Sequence, residues 1–315
     1  MLTIRNLSHD PFYNQAFEEY IYQTFPDDDI FFLWQNSPAV VVGSYQNICR
    51  EVHVEALRRL GIPVVRRMTG GGTVYHDLGN VNYTYIVRTD GGWNYDDVLA
   101  PVIAALNAIG VPARKNRVCD IAIGDLKISG SAQRIVKGRL LHHGTLLFSS
   151  DLGVLDQITT HRKNDCFQSR GTQSAICTVT NIREHLSSPM TIEEFQDRLL
   201  GQMMPPGSPH LTLTAEQDAE VCRLRDEKYR SWEWTWGRNP AFTYEKSGIF
   251  NGVPIRVAYQ AKRGIVSDAV IDCAAIDGAL AAQLLNGSRL DPEGFAAICR
   301  RLVGDGAEEL MDYLM

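Results

Sequence analysis

The stretch around which the chain is organised spans residues 66 to 83 and reads Arg-Arg-Met-Thr-Gly-Gly-Gly-Thr-Val-Tyr-His-Asp-Leu-Gly-Asn-Val-Asn-Tyr. Its three consecutive glycines, Gly70, Gly71 and Gly72, can take positive φ angles and expose backbone N–H groups that no Cβ shields. Successive N–H groups in such a turn form a concave site for an anion. Arg66 and Arg67 precede the turn, and arginine matches phosphate and carboxylate oxygens well. The pattern predicts an anion-binding loop, with a plain tight turn beside a solvated arginine pair as the alternative.

The residues after the glycines alternate as a strand does, from Thr73 through Val74 and Tyr75 to His76. A dinucleotide-binding fingerprint would continue as a helix, and a P-loop would end in Gly-Lys-Ser or Gly-Lys-Thr. Neither pattern follows here. The sequence therefore predicts an anion held by a loop between two strands.

Capping residues and periodicity predict the elements on both sides of this loop. Asp10-Pro11 is typical of a helix start, and glycines follow two helical patterns and end them. The predicted elements are a helix from Asp10, strands Ile30–Trp34 and Val40–Val42, a helix Val52–Leu60 ended by Gly61, a strand Val81–Val87, and a helix Val98–Ile109 ended by Gly110.

A second informative stretch, residues 120 to 129, reads as a hairpin whose two-residue loop is Gly124-Asp125. Side chains alternate along a strand, so Lys127 faces away from its apolar neighbours. A lysine in that position is often a solvent-facing edge charge. The small residues around Gly130, however, allow a ligand to approach the backbone closely. Lys127 is therefore a candidate ligand-binding cation.

The next predicted strand, Leu140–Phe148, carries His142, His143 and Gly144. Adjacent strand residues point to opposite faces, so the two histidines cannot bind one metal ion in regular geometry. We expect both to pack or to hydrogen-bond in the core.

Length and composition describe a globular protein. The chain has 315 residues, of which 44% are apolar and 22% charged, and this is enough for two domains with a sizeable core. A net charge of −6 argues against general binding to nucleic acids or membrane surfaces. We expect no membrane span, because no apolar run reaches roughly 18 to 20 residues. The cysteines are scattered and form no Cys-x-x-Cys pair, which predicts a reducing cytoplasm.

Together these motifs resemble the lipoate–protein ligases of the LplA type. They follow that family's order and spacing over nearly the whole chain. The motifs are Arg66-Arg67-x-x-Gly-Gly-Gly-x-Val-Tyr-His-Asp-Leu-Gly-Asn80, Lys127-Ile-Ser-Gly-Ser-Ala-Gln133, His142-His143-Gly-Thr-Leu-Leu147, and Ser169-Arg170-Gly171-x-x-Ser174 with Val179-Thr180-Asn181; weaker ones are Asp10-Pro11 to Glu18-Glu19 and Trp232-Glu233-Trp234 to Pro240.

One position departs from the family pattern. Many members read Arg-Asn-Asp before the hairpin, and this chain has Val118-Cys119-Asp120. Asp120 can be carried over, but any role of the preceding asparagine cannot.

The resemblance implies an α+β fold, with a mixed, largely antiparallel sheet and flanking helices as in biotin ligases and class II aminoacyl-tRNA synthetases. It also implies a catalytic domain over residues 1–242 and a small C-terminal α/β accessory domain over residues 243–315. That second domain suggests a chain able to carry out both half-reactions alone. Trp232, Trp234 and Trp236 alternate with other residues, which predicts a strand with one tryptophan face packed between the domains, or exposed for acceptor docking.

The chemistry implied has two steps. Lipoate and ATP give lipoyl-AMP and pyrophosphate, and the lipoyl group then passes to one lysine of an acceptor. Acceptors in the family are the lipoyl domains of 2-oxoacid dehydrogenase E2 subunits and the glycine cleavage H protein, and octanoate is an alternative acid. Lys127 resembles the family's catalytic lysine, which contacts both the acyl carbonyl and the phosphate.

The resemblance also implies residue roles. For ATP it implies Arg67, Gly72, Thr73, Val74, Tyr75 and Lys127; for lipoate it implies Gly71, Gly72, Lys127, His143 and Gly144. Further candidates are Arg66, His76, Asp77, Asn80 and Asp120. Magnesium is expected with ATP, and Asp120 is a candidate ligand for it.

Two other functions fit parts of the pattern. The first is an octanoyl-type acyltransferase that needs no ATP and uses a cysteine nucleophile, for which Cys177 and Cys166 are candidates. The second is a non-catalytic protein that binds lipoate or a nucleotide.

Overall fold

The protein is described here by a computed structural model that covers residues 1–89, 92, 94–159, 167–175 and 177–315. Its strands are β1 (Leu2–Ile4), β2 (Ile30–Trp34), β3 (Ala39–Val42), β4 (Val64–Arg66), β5 (Val74–His76), β6 (Asn80–Arg88), β7 (Arg114–Asn116), β8 (Asp120–Ile123), β9 (Leu126–Val136), β10 (Arg139–Leu147), β11 (Phe167–Ser169), β12 (His210–Leu211), β13 (Phe242–Phe250), β14 (Val253–Lys262) and β15 (Ile265–Cys273). Its α-helices are α1 (Pro11–Thr24), α2 (Ile48–Glu51), α3 (Val54–Leu60), α4 (Tyr95–Ala108), α5 (Leu152–Thr159), α6 (Ile192–Met203), α7 (Ala215–Leu224), α8 (Trp232–Thr235), α9 (Gly278–Leu285), α10 (Pro292–Val303) and α11 (Ala307–Leu314).

The largest sheet has the strand order β12-β1-β2-β6-β10-β9-β8-β7. β1 pairs in parallel with β12 and β2, while the other neighbours in this sheet run antiparallel. A smaller sheet has the order β4-β3-β5, and a third has the order β11-β13-β14-β15. This architecture confirms the predicted α+β class with a mixed, largely antiparallel sheet.

Helices cover both faces of the large sheet. Successive side chains along a strand point to opposite faces, and apolar side chains on both faces pack against these helices. Phe32 lies on the face that packs against α1. Phe31, its neighbour in the chain, lies on the face that packs against α4 and α6. No helix among the residues covered is long and apolar enough to cross a bilayer.

Most local predictions are confirmed. The side chain of Asp10 accepts a hydrogen bond from Phe12 N and caps α1, and Gly61 ends α3 with a φ of 65°. Ile123 pairs with Leu126, which makes the predicted two-residue hairpin loop. One helix begins later than predicted: Val52 is extended, and α3 starts only at Val54.

The predicted tryptophan strand is wrong, because residues 232 to 235 form the short helix α8. The hydroxyl of Ser231 accepts from Trp234 N and caps this helix. Residues two apart point to nearly opposite sides of a helix. Accordingly, Trp232 Nε1 donates to Leu290 O at 3.0 Å, whereas Trp234 Nε1 donates to Arg66 O at 2.7 Å. The tryptophans thus join the two parts of the chain, but from opposite sides of a helical turn.

The C-terminal residues supply three strands of the sheet β11-β13-β14-β15, and the earlier strand β11 supplies the fourth. Their core is continuous with residues from the first part of the chain: Leu57 in α3 packs in the same cluster as Tyr259 and Phe295. The boundary at residues 242/243 stays a prediction, although β13 begins at Phe242.

We expect Leu57→Ala to lower the free energy of unfolding by about 2–5 kcal/mol, the range for buried leucines. Leu57 is 2% exposed within the shared core, while Leu60 of the same helix is 43% exposed. Denaturant unfolding followed by far-UV circular dichroism measures the change. Leu60→Ala is the matched control and should change stability by no more than about 0.5 kcal/mol. Equal effects of the two substitutions would contradict the shared core.

Candidate functional site

The motif residues meet around a cavity of about 370 Å³. Of the predicted site residues, the cavity is lined by Arg67, Gly71, Gly72, Thr73, Val74, His76, Asp120, Lys127, His143 and Gly144, whereas Arg66, Tyr75, Asp77 and Asn80 lie outside its lining. Sequence reasoning did not name Gln15, Trp34, Asn82 or Tyr95, which also line it.

Lys127 projects into the cavity from β9. Its Nζ lies 2.8 Å from Asp120 Oδ1 on the neighbouring strand β8. A Cβ at Gly130 would lie 2.9 Å from that Nζ, so the missing side chain provides the space for the ammonium group. The backbone of Lys127 donates to Thr178 O and accepts from Thr180 N, both at 3.0 Å. The lysine is therefore a fixed, paired cation facing the cavity, and the alternative of a solvent-facing edge charge is excluded.

A row of side chains crosses the sheet from this lysine. Asp120 pairs with Gly130, Gly130 N donates to Thr145 Oγ1 at 3.2 Å, Thr145 pairs with Asn82, and Asn82 pairs with Trp34. Directly paired residues share a face of the sheet. From β9 to β6 there are two strand spacings, or about 10 Å, and β2 is one spacing further. The cavity is thus an extended channel with Lys127 near one end and Trp34 at the other.

The far end of the channel carries polar atoms with no partner among the residues covered. They are Gln15 Oε1, His76 Nε2 and Asn82 Nδ2. Asn36 Nδ2 donates to His76 Nδ1 at 2.9 Å, so the ring proton of a neutral His76 sits on Nε2. Burial lowers the pKa of His76 to about 3, which keeps the ring neutral. Two donors and one acceptor are therefore available there.

The glycine loop is held close to β3. A Cβ at Gly43 would lie 2.3 Å from Gly71 O, so only glycine allows this approach. Gly71 itself has a φ of 85°, as the anion-loop prediction requires of a glycine. On the other side, Thr73 N donates to Ser174 Oγ at 2.8 Å, and Ser174 Oγ donates to Glu51. The loop is thus fixed by contacts distant in sequence.

Comparisons with known proteins show the family to which the chain belongs. Residues 10–204 match the model of the lipoyl protein ligase A/B catalytic domain. The chain is 36% identical over 268 residues to lipoate–protein ligase 1 of Staphylococcus aureus, with 83% of this chain and 81% of that protein covered. The chain belongs to the lipoate–protein ligase family.

Solved structures agree with this assignment. The fold is similar to that of a lipoate–protein ligase A bound with ATP, with a TM-score of 0.63 and 25% identity over 74% of this chain and 97% of the other. It is also similar to protein Ta0514 from T. acidophilum with bound lipoic acid, with a TM-score of 0.62 and 25% identity over 75% and 98% of the two chains.

The family's two arginines are both buried here, but they lie in different places. Arg66 is fully buried; its Nη1 donates to Gly43 O and Gln46 O, and its other nitrogens donate to Thr235 O and Asn239 Oδ1. Burial lowers its pKa to about 10. These bonds join the glycine loop's surroundings to α8, so Arg66 is a structural cation outside the cavity.

Three other candidates are likewise structural. Tyr75 packs in the core shared with the C-terminal residues. Asp77 accepts from Gly79 N at 2.9 Å and from Asp151 N at 2.7 Å, and Asn80 donates to Asn82 Oδ1 at 3.0 Å. They shape the strand that follows the loop.

The adjacent histidines occupy opposite faces, as predicted. His142 stacks on Tyr83 with ring centroids 6.0 Å apart, and burial lowers its pKa to about 3. His143 faces the cavity side and hydrogen-bonds Glu18 and Thr69. A Cβ at position 144 would lie 2.3 Å from the Tyr83 hydroxyl, so only glycine fits at Gly144.

The candidate thiols are placed unevenly. Cys177 is not among the cavity-lining residues of the described chain, and Cys166 lies outside the described residues. Cys119 does line the cavity, and its Sγ lies 3.6 Å from Asp120 Oδ1. Burial and the negative charge of Asp120 raise the pKa of the Cys119 thiol, which disfavours the nucleophilic thiolate.

We expect Arg66→Met to lower the free energy of unfolding by about 2–5 kcal/mol, because it leaves several buried oxygens without their donor. Urea unfolding measures the loss. Arg238 is the matched control: it is exposed and stacks on Trp234 at 4.6 Å. Arg238→Met should change stability by about 1 kcal/mol or less. An Arg66→Met protein as stable as the wild type would contradict the structural role.

Proposed function

We propose that the chain is an ATP-dependent lipoate–protein ligase that forms lipoyl-AMP and transfers the lipoyl group to a lysine of an acceptor protein. The observation that carries this proposal is the single cavity that joins the glycine loop, the Lys127–Asp120 pair and the channel toward Trp34. An adenylating enzyme needs one site for phosphates and one for the acid, with a cation where they meet. Lys127 would be that cation.

In the first half-reaction, the lipoate carboxylate attacks the α-phosphorus of ATP, and the bond to pyrophosphate breaks. Both reactants are anionic, so attack needs preorganised positive charge and N–H donors. Lys127 would supply the charge, and the loop at Gly71, Gly72, Thr73 and Val74 would receive the phosphates. Arg67 would hold that loop in shape. Holding the two reactants in line can offset several kcal/mol of barrier.

Magnesium fits the cavity as a partner of the phosphates rather than as an ion held by the protein alone. Among the described lining residues Asp120 is the carboxylate, and they include no group of three or more side chains that could hold a metal ion. Mg²⁺ commonly uses one or two carboxylates together with substrate phosphates. When bound, it would share the phosphate charge, with Asp120 as its protein ligand.

In the second half-reaction, the acceptor amine attacks the acyl carbon, the bond to AMP breaks, and the amine loses a proton. The Lys127 ammonium would stabilise the negative charge that develops on the acyl oxygen. We propose as acceptors the lipoyl domains of 2-oxoacid dehydrogenase E2 subunits and the glycine cleavage H protein. The C-terminal residues 243–315 support a chain that performs both steps. Scattered cysteines support a cytoplasmic location.

A cysteine-dependent acyltransferase is the second candidate, and the thiol positions disfavour it. Its nucleophile would have to reach the acyl carbon beside Lys127. Cys177 is absent from the described lining of the cavity. Cys119 is present there, but its thiol is held protonated by burial and by Asp120. An adenylate mechanism needs no covalent acyl-enzyme.

We expect the purified protein with Mg²⁺ to catalyse lipoate-dependent exchange between ATP and pyrophosphate, and Lys127→Ala to reduce the rate by about 10²–10³-fold or more. The reason is the loss of a fixed charge at the reacting atoms. Lys127→Arg should rescue poorly, because a planar fork does not reproduce a compact ammonium. Exchange of radiolabelled pyrophosphate into ATP measures both.

Cys177→Ser is the control and should keep most of the activity. An ATP-independent transfer that disappears in Cys177→Ser, with a thioester detected by mass spectrometry, would contradict the ligase function. Normal turnover by Lys127→Ala would remove its central residue.

We also expect lipoate to be preferred over octanoate. The donors on His76 and Asn82 lie at the far end of the channel, where the acyl chain would end, and sulfur accepts hydrogen bonds weakly whereas a methyl group does not. Asn82→Leu should therefore reduce the ratio of kcat/KM for lipoate to that for octanoate by about tenfold or less. Octanoate is the internal control, since its own kcat/KM should not fall. An unchanged ratio would show that Asn82 does not read the tail.

A further inference from the structure

A chain of buried hydrogen bonds runs behind the cavity from α1 to the glycine loop. The Glu18 carboxylate is fully buried and lies 2.8 Å from His143 Nδ1. On the other side of the ring, His143 Nε2 lies 2.8 Å from Thr69 Oγ1. Arg67 Nε donates to the same Thr69 oxygen at 3.1 Å. The chain therefore joins a buried anion to a buried cation through one ring and one hydroxyl.

The directions of two of these hydrogen bonds follow from what the groups can do. A guanidinium only donates, so Thr69 Oγ1 accepts from Arg67. Thr69 Oγ1 keeps one proton and one lone pair, either of which can meet His143 Nε2. An ionised carboxylate only accepts, so the proton between Glu18 and the ring sits on His143 Nδ1. With Nδ1 protonated, every member of the chain has a hydrogen-bond partner.

Arg67 in turn shapes the glycine loop. Its Nη2 donates to Gly70 O and to Gly72 O, each at 2.6 Å, and its Nη1 donates to Val41 O at 3.0 Å. A trans peptide points its C=O and the next N–H in opposite directions. Since the Gly70 carbonyl turns toward Arg67, the N–H of Gly71 turns away from it. That is the orientation an anion-binding loop requires.

Arg67 depends on the hydrogen-bond chain to Glu18 because its charged guanidinium is buried. Burial lowers its pKa to about 10, and the charge of Glu18 acts in the opposite direction. The hydrogen bonds of its guanidinium given above go to carbonyl oxygens and to Thr69. Glu18 is the anion that faces it, with His143 and Thr69 in between.

We propose that Glu18 is a positioning residue which, through His143 and Thr69, aims Arg67 at the glycine loop and so sets the loop's affinity for phosphate. This inference rests on the proposed function, because it names the residue that prepares the nucleotide end of the same site. Glu18 itself lies outside the lining of the cavity and acts only through its neighbours.

The chain offers a matched pair of threonines for the test. Thr84 Oγ1 also donates to Glu18 at 2.7 Å and, like Thr69, is buried. It accepts from Trp34 Nε1 at 2.9 Å, so it lies off the path from Glu18 through His143 and Thr69 to Arg67. Replacing either threonine by valine removes one hydroxyl beside the same hydrogen-bond chain. Only the change at Thr69 cuts the connection to the loop.

The experiment measures binding of Mg-ATP by calorimetry in the absence of lipoate. We expect Thr69→Val, which loses one hydrogen bond, and Glu18→Gln, which keeps an acceptor but loses the charge, each to raise the Kd for ATP by about tenfold. Thr69→Ser keeps the hydroxyl and should stay within about threefold of the wild type, as should Thr84→Val. Thermal unfolding of each variant shows whether stability changes in parallel, which a merely structural role would require.

A second readout needs no substitution that could unfold the protein. In the wild type, ¹⁵N NMR of the labelled histidines should show that His143 Nδ1 carries a proton. A ring with no proton on Nδ1 would overturn the proposal. So would equal ATP affinities for Thr69→Val and Thr69→Ser, or a loss in Thr84→Val as large as that in Thr69→Val.

The ligase function and the role of Glu18 are overturned by different results. A folded wild-type protein that binds no ATP would overturn both the ligase function and this inference. A wild type that binds ATP and exchanges pyrophosphate, together with a Thr69→Val variant of unchanged affinity, would overturn only the role of Glu18.

Discussion

The structure of the site depends on one constraint, namely that backbone carbonyls buried around the glycine loop must find donors. Two adjacent arginines meet it. Arg66 serves the carbonyls of residues 43 and 46 and reaches α8, while Arg67 serves those of Gly70 and Gly72. An arginine carries five N–H donors in a fixed fork, so it can hold several strands of backbone at once. The loop keeps its shape because the two arginines donate hydrogen bonds to backbone carbonyls in and beside it.

Sheet register places the rest of the site. Trp34, Asn82, Thr145 and Asp120 come from four strands, and their pairings put them in one row beside Lys127. A slip of one residue in any of these strands would turn its member of the row to the opposite face. The hydrophobic clusters on the two faces prevent such a slip, since it would also expose a core side chain. The packing of α1, α4 and α6 thus fixes the geometry of the channel.

The C-terminal residues are joined to the site through the same supports. Asn239 accepts from Arg66 Nη2 at 2.9 Å and from Ile48 N at 3.0 Å. Trp234 donates to the carbonyl of Arg66. The segment that leads into the sheet β11-β13-β14-β15 therefore touches the residues that hold the loop. Any rearrangement of that segment would reach the glycine loop through Arg66.

Local physics was sufficient for much of the fold. Asp10 and Pro11 begin a helix, Gly61 ends one, and Gly124-Asp125 closes a hairpin, because each depends only on the conformational preferences of neighbouring residues. The face of Lys127 likewise follows from strand alternation, and the motif spacing led to the family. The tryptophan segment was misread, since spacing of two also fits a short helix once Ser231 caps it.

Only the tertiary structure decided what the buried polar residues do. The sequence predicted the same anion-binding role for Arg66 and Arg67. In the structure their partners come from different elements, and of the two only Arg67 lines the cavity. Glu18 and His143 are separated by 125 residues along the chain, and Asn239 lies 173 residues from Arg66. Nothing local marks such pairs, because a hydrogen bond between distant residues exists only after the sheet and helices bring them together. The sequence by itself determined most of the elements, the glycine loop and the face of Lys127; the fold decided which charges meet.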